Sequence, residues 1–227
     1  MKHVKQRREL VAQARRLVDI GLNRGTSGNL SARIPGGLLI TPSGITYDEM
    51  TPGDIVELDA RGGAPIGETE GRRLPSSEWR IHLDILAARD EFGAVIHAHP
   101  IFATALACNR RAIPAFHYMV AVAGGSSIPL APYATFGTKA LSRNILRTMK
   151  GVTACLVANH GIIAAGATLS QAADLAVEVE TLAEQYVHAL QAGKPKILPK
   201  AEMAKILRKF RAYGQQPAPP PKGRRRR

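Results

Sequence analysis

The sequence is short of the residues that build specialised scaffolds. Two cysteines, Cys108 and Cys155, in 227 residues are too few for a disulfide framework, and they do not form a C-x-x-C redox or zinc-knuckle motif. Buried free thiols in a reducing compartment are the expectation. No stretch approaches 18 apolar residues, so nothing is expected to span a membrane. The basic start MKHVKQRREL is not followed by an apolar segment of signal-peptide length. These absences point to a cytoplasmic protein. Acidic residues are scarce only at one end: residues 194–227 carry 12 of the 31 Lys/Arg against one acid, Glu202, while the preceding 193 residues are nearly balanced. The net charge of +13 therefore belongs to a tail ending PAPPPKGRRRR. A nucleic-acid face would spread its cations over folded surface among aromatics, so nucleic acid is not an expected partner.

What is present is an ordinary globular composition, 45% hydrophobic and 22% charged. Apolar residues at helical spacing predict a helix over 5–22, and Ala173, Ala176, Val177, Leu182 and Val187 predict a long one over 170–190. Short strand-like runs at 30–34, 37–41 and 54–59 are separated by Pro-Gly and Gly-Gly turns, which predicts an antiparallel start. A helix capped by Ser76 and Ser77, a strand over 94–100, helices over 101–108 and 138–149, and strands over 154–158 and 162–166 follow, with an unassigned apolar stretch at 118–125. No internal repeat or linker interrupts residues 1–193. The expectation is a single α/β domain followed by a tail.

The histidines carry the first chemical signal. His97 and His99, two apart on a predicted strand, leave the same face, and neutral imidazole is a common zinc ligand. The pair is equally compatible with two structural histidines. His160 sits in a tight Asn-His-Gly turn between apolar strands, where a polar ring serves no packing purpose, although turn histidines are common. Glu78 follows two serines at a helix start, where a carboxylate also has a plain role beside the helix dipole. Together Glu78, His97, His99 and His160 would complete a catalytic zinc shell without cysteine. His82, four residues after Glu78, finds no third local ligand, and His3, His117 and His188 read as surface or packing residues.

Small polar loops make the second signal. The stretches 25–29 (GTSGN), 41–44 (TPSG) and 75–77 (PSS) offer hydroxyls and open backbone N–H groups, the last at a helix N-terminus, which favours an anion. None matches a Walker or dinucleotide fingerprint, and each alone reads as a turn. An anion held at Ser76 and Ser77 would, however, hang its substrate beside the proposed metal.

The stretches GLNRGTSGNLSARIPGGLLITPSGITYDEM, LPSSEWRIHLDILAARDEFGAVIHAHP, IPAFHYMVAVAGGSSIPLAPYATFGT and NHGIIAAG resemble the class II aldolase and adducin family, in register over about residues 7–213. The resemblance implies a three-layer α/β/α fold with a central, largely antiparallel sheet, residues 1–213 forming the catalytic domain and 214–227 a disordered Pro/Arg-rich tail. It implies one Zn2+ per subunit on Glu78, His97, His99 and His160. A substrate phosphate would sit on Gly28, Asn29, Ser43, Gly44, Ser76 and Ser77, with Thr26 nearby. Tyr118 is implied as a proton donor at a neighbouring subunit's site and Tyr213 as a closing residue, in a homotetramer with sites at subunit interfaces. The implied reaction is cleavage of a phosphorylated ketose, of the L-fuculose 1-phosphate type, to dihydroxyacetone phosphate and an aldehyde such as lactaldehyde. Glu78 would double as general acid/base and no Schiff-base lysine is needed. Relatives acting on 5-deoxyribulose or methylthioribulose 1-phosphate, epimerases and decarboxylases are the alternatives. A non-enzymatic assembly module of the same fold would be expected to lose the metal ligands, and all four are here.

Overall fold

The computed structural model describes residues 1–61 and 73–210. Seven strands form one sheet in the order β3-β2-β1-β4-β7-β6-β5. They are β1 (Asn29–Ile34), β2 (Gly37–Ile40), β3 (Val56–Asp59), β4 (Ala94–Ala98), β5 (Leu130–Ala131), β6 (Ala154–Val157) and β7 (Gly161–Gly166). Every neighbouring pair is antiparallel except β5–β6, which is parallel. The helices are α1 (Val4–Asp19), α2 (Trp79–Ala88), α3 (Ile101–Cys108), α4 (Lys139–Thr148), α5 (Leu169–Ala192) and α6 (Lys200–Phe210).

Side chains alternate across a strand, so each strand feeds two cores. Leu30, Ile96, Leu156 and Ile162 face α1, α3 and α5, where Leu10, Leu17, Leu106, Ala173 and Leu182 meet them. Leu38, Val95, Cys155 and Ile163 face the other way, against Ile81, Ile85, Leu141 and Ile145 of α2 and α4. The result is the expected three-layer, single-domain arrangement around a central sheet. Polar N-caps start two of the helices: Thr138 Oγ accepts from the Leu141 N–H of α4 and Thr168 Oγ from the Gln171 N–H of α5.

Several expectations change. Helix α1 stops at Asp19 rather than 22, because Gly21 turns left-handed at φ +75°. The stretch at 118–125 is a 3-10 helix, Tyr118–Ala123. Helix α6 was not read from the sequence; Met203 docks on Ala115 and Ala121 beside that 3-10 helix, so the basic end begins with an ordered segment. Strand β5 is too short to carry a pattern. Cys155 is buried, but Cys108 is exposed, against the expectation of two buried thiols. Tyr213 and residues 214–227, assigned to a closing residue and a tail, lie outside the described residues. Among the described residues no helix is long and apolar enough to cross a membrane.

Leu156 is fully buried between β5 and β7. Leu156→Ala is expected to cost about 2–5 kcal/mol, measured as a drop in unfolding free energy by denaturant titration.

Candidate metal centre

Strand β4 ends one residue after His97, whose ring is fully buried. His97 Nδ1–H donates to the Ile162 carbonyl of β7 at 2.9 Å. The carbonyl only accepts, so the neutral ring presents its Nε2 lone pair to the opposite side. Such an outer hydrogen bond is what fixes a metal-binding tautomer. His99 lies just past the strand, not within it as predicted, and its Nε2 stands 2.8 Å from His97 Nε2.

His160 comes from the turn between β6 and β7. Asn159 before it is left-handed at φ 53°, a conformation asparagine tolerates better than most residues. Gly161 after it has no room for a side chain: a Cβ there would fall 2.3 Å from the Ala98 carbonyl oxygen and 2.7 Å from the His99 ring. The turn is thus pressed onto the end of β4, which delivers His160 to the other two rings, with ring centroids 4.6 to 5.0 Å apart.

Glu78 occupies the N-cap position of α2, yet its side chain makes no cap bond. Its backbone N–H donates instead to Ser76 Oγ at 3.3 Å, and its carboxylate turns to the histidines. Oε2 is 2.9 Å from His97 Nε2 and Oε1 is 3.2 Å from His160 Nε2. The plainer reading of Glu78 as a dipole-serving carboxylate does not describe this geometry.

One ligand atom from each of Glu78, His97, His99 and His160 lies within 4.8 Å of all the others. Acceptor atoms crowded this closely repel unless a proton or cation stands among them. Buried Glu78 Oε1 has no well-aligned hydrogen-bond donor, and the donor set, three imidazoles and one carboxylate, suits a zinc-like divalent ion at about 2.0–2.2 Å from each atom. The residues therefore fit a metal.

Electrostatics agree with the geometry. Burial alone would raise the Glu78 carboxyl, but the charges and hydrogen bonds of His97 and His160 outweigh it and hold the group well below the usual carboxylate range. Burial opposes charge on His97 as well, yet the adjacent Glu78 carboxylate raises its pKa. Burial, with His97 and His160 next, pushes His99 down to about 4.

Beside the cluster lies a cleft of about 440 Å³ lined by Thr26, Gly28, Asn29, Ser43, Gly44, Ser76, Ser77, Glu78, His99 and His160. All the phosphate-type positions read from the sequence meet there. The three loops are stitched together: Ser76 N–H donates to Thr41 O at 3.1 Å, Ser43 N–H to Leu74 O at 3.0 Å, and buried Tyr47 donates its hydroxyl to Gly28 O at 2.8 Å. No lysine or arginine is among the described lining residues, so an anion would rest on hydroxyls, backbone N–H groups and the α2 N-terminus.

Sequence reasoning assigned no role to Tyr133 and Phe136, exposed aromatics of the β5–α4 loop that also line the cleft; two aromatics in a Pro/Gly loop were the available signal. Tyr118 is 47% exposed on the 3-10 helix and does not line this cleft. His82 is not a ligand: it is fully buried and bonded to Asn29 and Ser31.

The shifts set a pH dependence for the metal-free protein. Lowered Glu78 contributes stability above its ordinary 4.5, lost as pH falls through the folded value; raised His97 contributes it below 6.5, lost as pH rises through its folded value. The pair's contribution is therefore greatest between about 4.5 and 6.5. A metal must displace the His97 proton. Thermal melts with and without Zn2+ are expected to show a larger stabilisation at about pH 8 than at about pH 5.5.

The family model described as Class II Aldolase and Adducin N-terminal domain matches residues 8–187. A 5-methylthioribulose-1-phosphate/5-deoxyribulose-1-phosphate aldolase of Rhodospirillum rubrum is 55% identical over 217 residues, covering 94% of this chain and 96% of the relative. An L-fuculose phosphate aldolase of Escherichia coli K12 is 43% identical, covering 94% and 98%. A solved L-fuculose 1-phosphate aldolase superposes with a TM-score of 0.86 at 44% identity, covering 93% of this chain and 97% of that one. With the family model matching most of the chain and relatives above 40% identity along nearly its whole length, the chain belongs to the class II aldolase and adducin family, as one of its lyases.

Proposed function

We propose that the chain is a zinc-dependent aldolase cleaving a ketose 1-phosphate to dihydroxyacetone phosphate and a short aldehyde. The reading rests on one observation: Glu78 and the three histidines converge beside a cleft lined by three hydroxyl-bearing loops that would suit an anion. Among substrates, 5-deoxyribulose and methylthioribulose 1-phosphates come ahead of L-fuculose 1-phosphate, reversing the ranking taken from the sequence. The relative that acts on the former is 55% identical, against 43% for the fuculose enzyme. Their deoxy or thioether ends are also less polar, which suits a rim carrying Tyr133 and Phe136.

The residues then take the following parts. Ser43, Ser76 and Ser77 and the backbone of Gly28, Asn29 and Gly44 hold the phosphate, with Thr26 nearby, and so fix the sugar's orientation. Glu78, His97, His99 and His160 would hold a divalent ion, which would supply Lewis-acid stabilisation of negative charge worth several kcal/mol. As the bond between C3 and C4 breaks, its electron pair enters the enediolate; Glu78, which the substrate would displace from the ion, takes up a proton from water and passes it to C3, balancing the one lost from the C4 hydroxyl. Tyr118 of a neighbouring subunit exchanges a proton with the aldehyde oxygen, and Tyr213 closes the site. Exposure of Tyr118 away from its own cleft supports a tetramer in which sites are shared. The setting is cytoplasmic.

The test is retro-aldol assay of 5-deoxyribulose, methylthioribulose, L-fuculose, L-rhamnulose and D-ribulose 1-phosphates, reading dihydroxyacetone phosphate release. The first two are expected to react fastest. Chelation should abolish the activity and Zn2+ restore it, and Glu78→Gln should lower kcat by about 10²–10⁴. Release from none of the five, or inactivation by borohydride trapping of a Schiff base, would overturn the reading.

A further inference from the structure

The Glu78 carboxylate has a neighbour that is not an imidazole. Asn29 Nδ2 donates to Glu78 Oε2 at 3.3 Å. Asn29 Oδ1 lies 2.5 Å from His82 Nε2, and His82 Nδ1 lies 2.7 Å from Ser31 Oγ. Asn29, Ser31, Glu78 and His82 are all buried, His82 completely. His82 stands one helical turn after Glu78 on α2, while Asn29 and Ser31 are alternate residues of β1 and share a face.

The carboxylate end sets the direction of every bond in this chain. An ionised carboxylate only accepts, so the Asn29 carboxamide turns its NH2 to Glu78 and its carbonyl to His82. A carbonyl also only accepts, so His82 Nε2 carries the proton. A neutral ring has one N–H, and Nδ1 therefore accepts from the Ser31 hydroxyl. Burial, with His97 next, pushes His82 down to about 3, which keeps the ring neutral at working pH. A reversed carboxamide would set its oxygen against the carboxylate.

We propose that His82 is a positioning residue: with its proton on Nε2, it locks the Asn29 carboxamide and through it the orientation of the Glu78 carboxylate. This deepens the aldolase reading and rests on it. Because Asn29 also lines the cleft, one amide stands between the substrate's seat and the acid/base group. A histidine serving only to fill space would be replaceable by an apolar residue of similar size.

The experiment uses the full-length protein in two arms. In the first, 15N-histidine labelling reports the tautomer, with the His82 signals assigned by their loss in His82→Leu; a neutral ring protonated on Nε2 is expected. In the second, Zn2+ affinity is measured by competition with a chromophoric chelator. His82→Leu should bind Zn2+ about 10–100-fold more weakly, and His82→Gln, which keeps an N–H donor, should recover most of that loss. If His82→Leu does not fold, Ser31→Ala carries both arms: with Nδ1 deprived of its hydroxyl donor the proton stays on Nε2 but the ring is less firmly held, and Zn2+ should bind several-fold more weakly. A proton on Nδ1 in the native protein, or undiminished Zn2+ affinity in the folded variants, would overturn the proposal. Should the substrate panel show no cleavage while both arms give the expected result, the functional reading fails and the positioning role stands.

Discussion

Three imidazole nitrogens and a carboxylate are held with their acceptor atoms facing one another, and the rest of the structure is arranged to keep them there. With no proton or cation among them, His97, His99, His160 and Glu78 would separate, because each gains more from water or a donor than from a second acceptor. They stay because their backbones cannot move apart. His97 belongs to the middle strand of the sheet and is tied by its outer nitrogen to β7. His160 is delivered by a turn that Gly161 allows to rest on Ala98. Glu78 is fixed by the first turn of α2, which packs its other face into the second core through Ile81 and Ile85. The stress of crowding is thus carried by two hydrophobic cores rather than by the site itself.

The same constraint explains why cradle and metal centre adjoin. Ser76 and Ser77 precede Glu78, so whatever fixes α2 fixes two cleft hydroxyls and one member of the cluster together. Asn29 pairs with His97 across β1 and β4, which puts the end of the Gly28 loop beside the buried histidine. The third loop is bound to the other two by Thr41, Ser43 and Tyr47. Two registers of one sheet and one helix start therefore determine the distance between the hydroxyl-lined loops and the Glu78–histidine cluster.

Much of this was readable in the residues. The H-x-H spacing, the histidine turn and the paired serines before Glu78 point to their roles because each is a polar residue where packing has no use for one. Periodicity located the main helices and most strands, whose burial follows the pattern closely. What escaped reading lacked a pattern of its own. Strand β5 is two residues long, and α6 is held by Met203 with Ile206, Leu207 and Phe210 beside it against Ala115 and Ala121, tertiary contacts made with a distant part of the chain. His82 escaped for the opposite reason. Its spacing from Glu78 was visible, but its partners Asn29 and Ser31 lie about 50 positions away on β1, and only the fold brings them to it.

Substrate preference is the level at which residue reading gave way to comparison, and the physics says why. An anion in this cleft would meet the hydroxyls of Ser43, Ser76 and Ser77 and open backbone N–H groups, and such a run of small polar residues is conspicuous in a sequence. Tyr133 and Phe136 add exposed aromatic surface to the same cleft, and in such a contact one methylene is worth only about 1–3 kcal/mol. Tyr133 and Phe136 can favour an apolar terminus over a hydroxylated one, but they cannot do so by an all-or-none contact. Differences of that size arise from loop angle as readily as from residue identity. A cleft that grips one end of a ligand by hydroxyls and N–H groups and meets the rest through exposed aromatics would be strict toward the first and lenient toward the second.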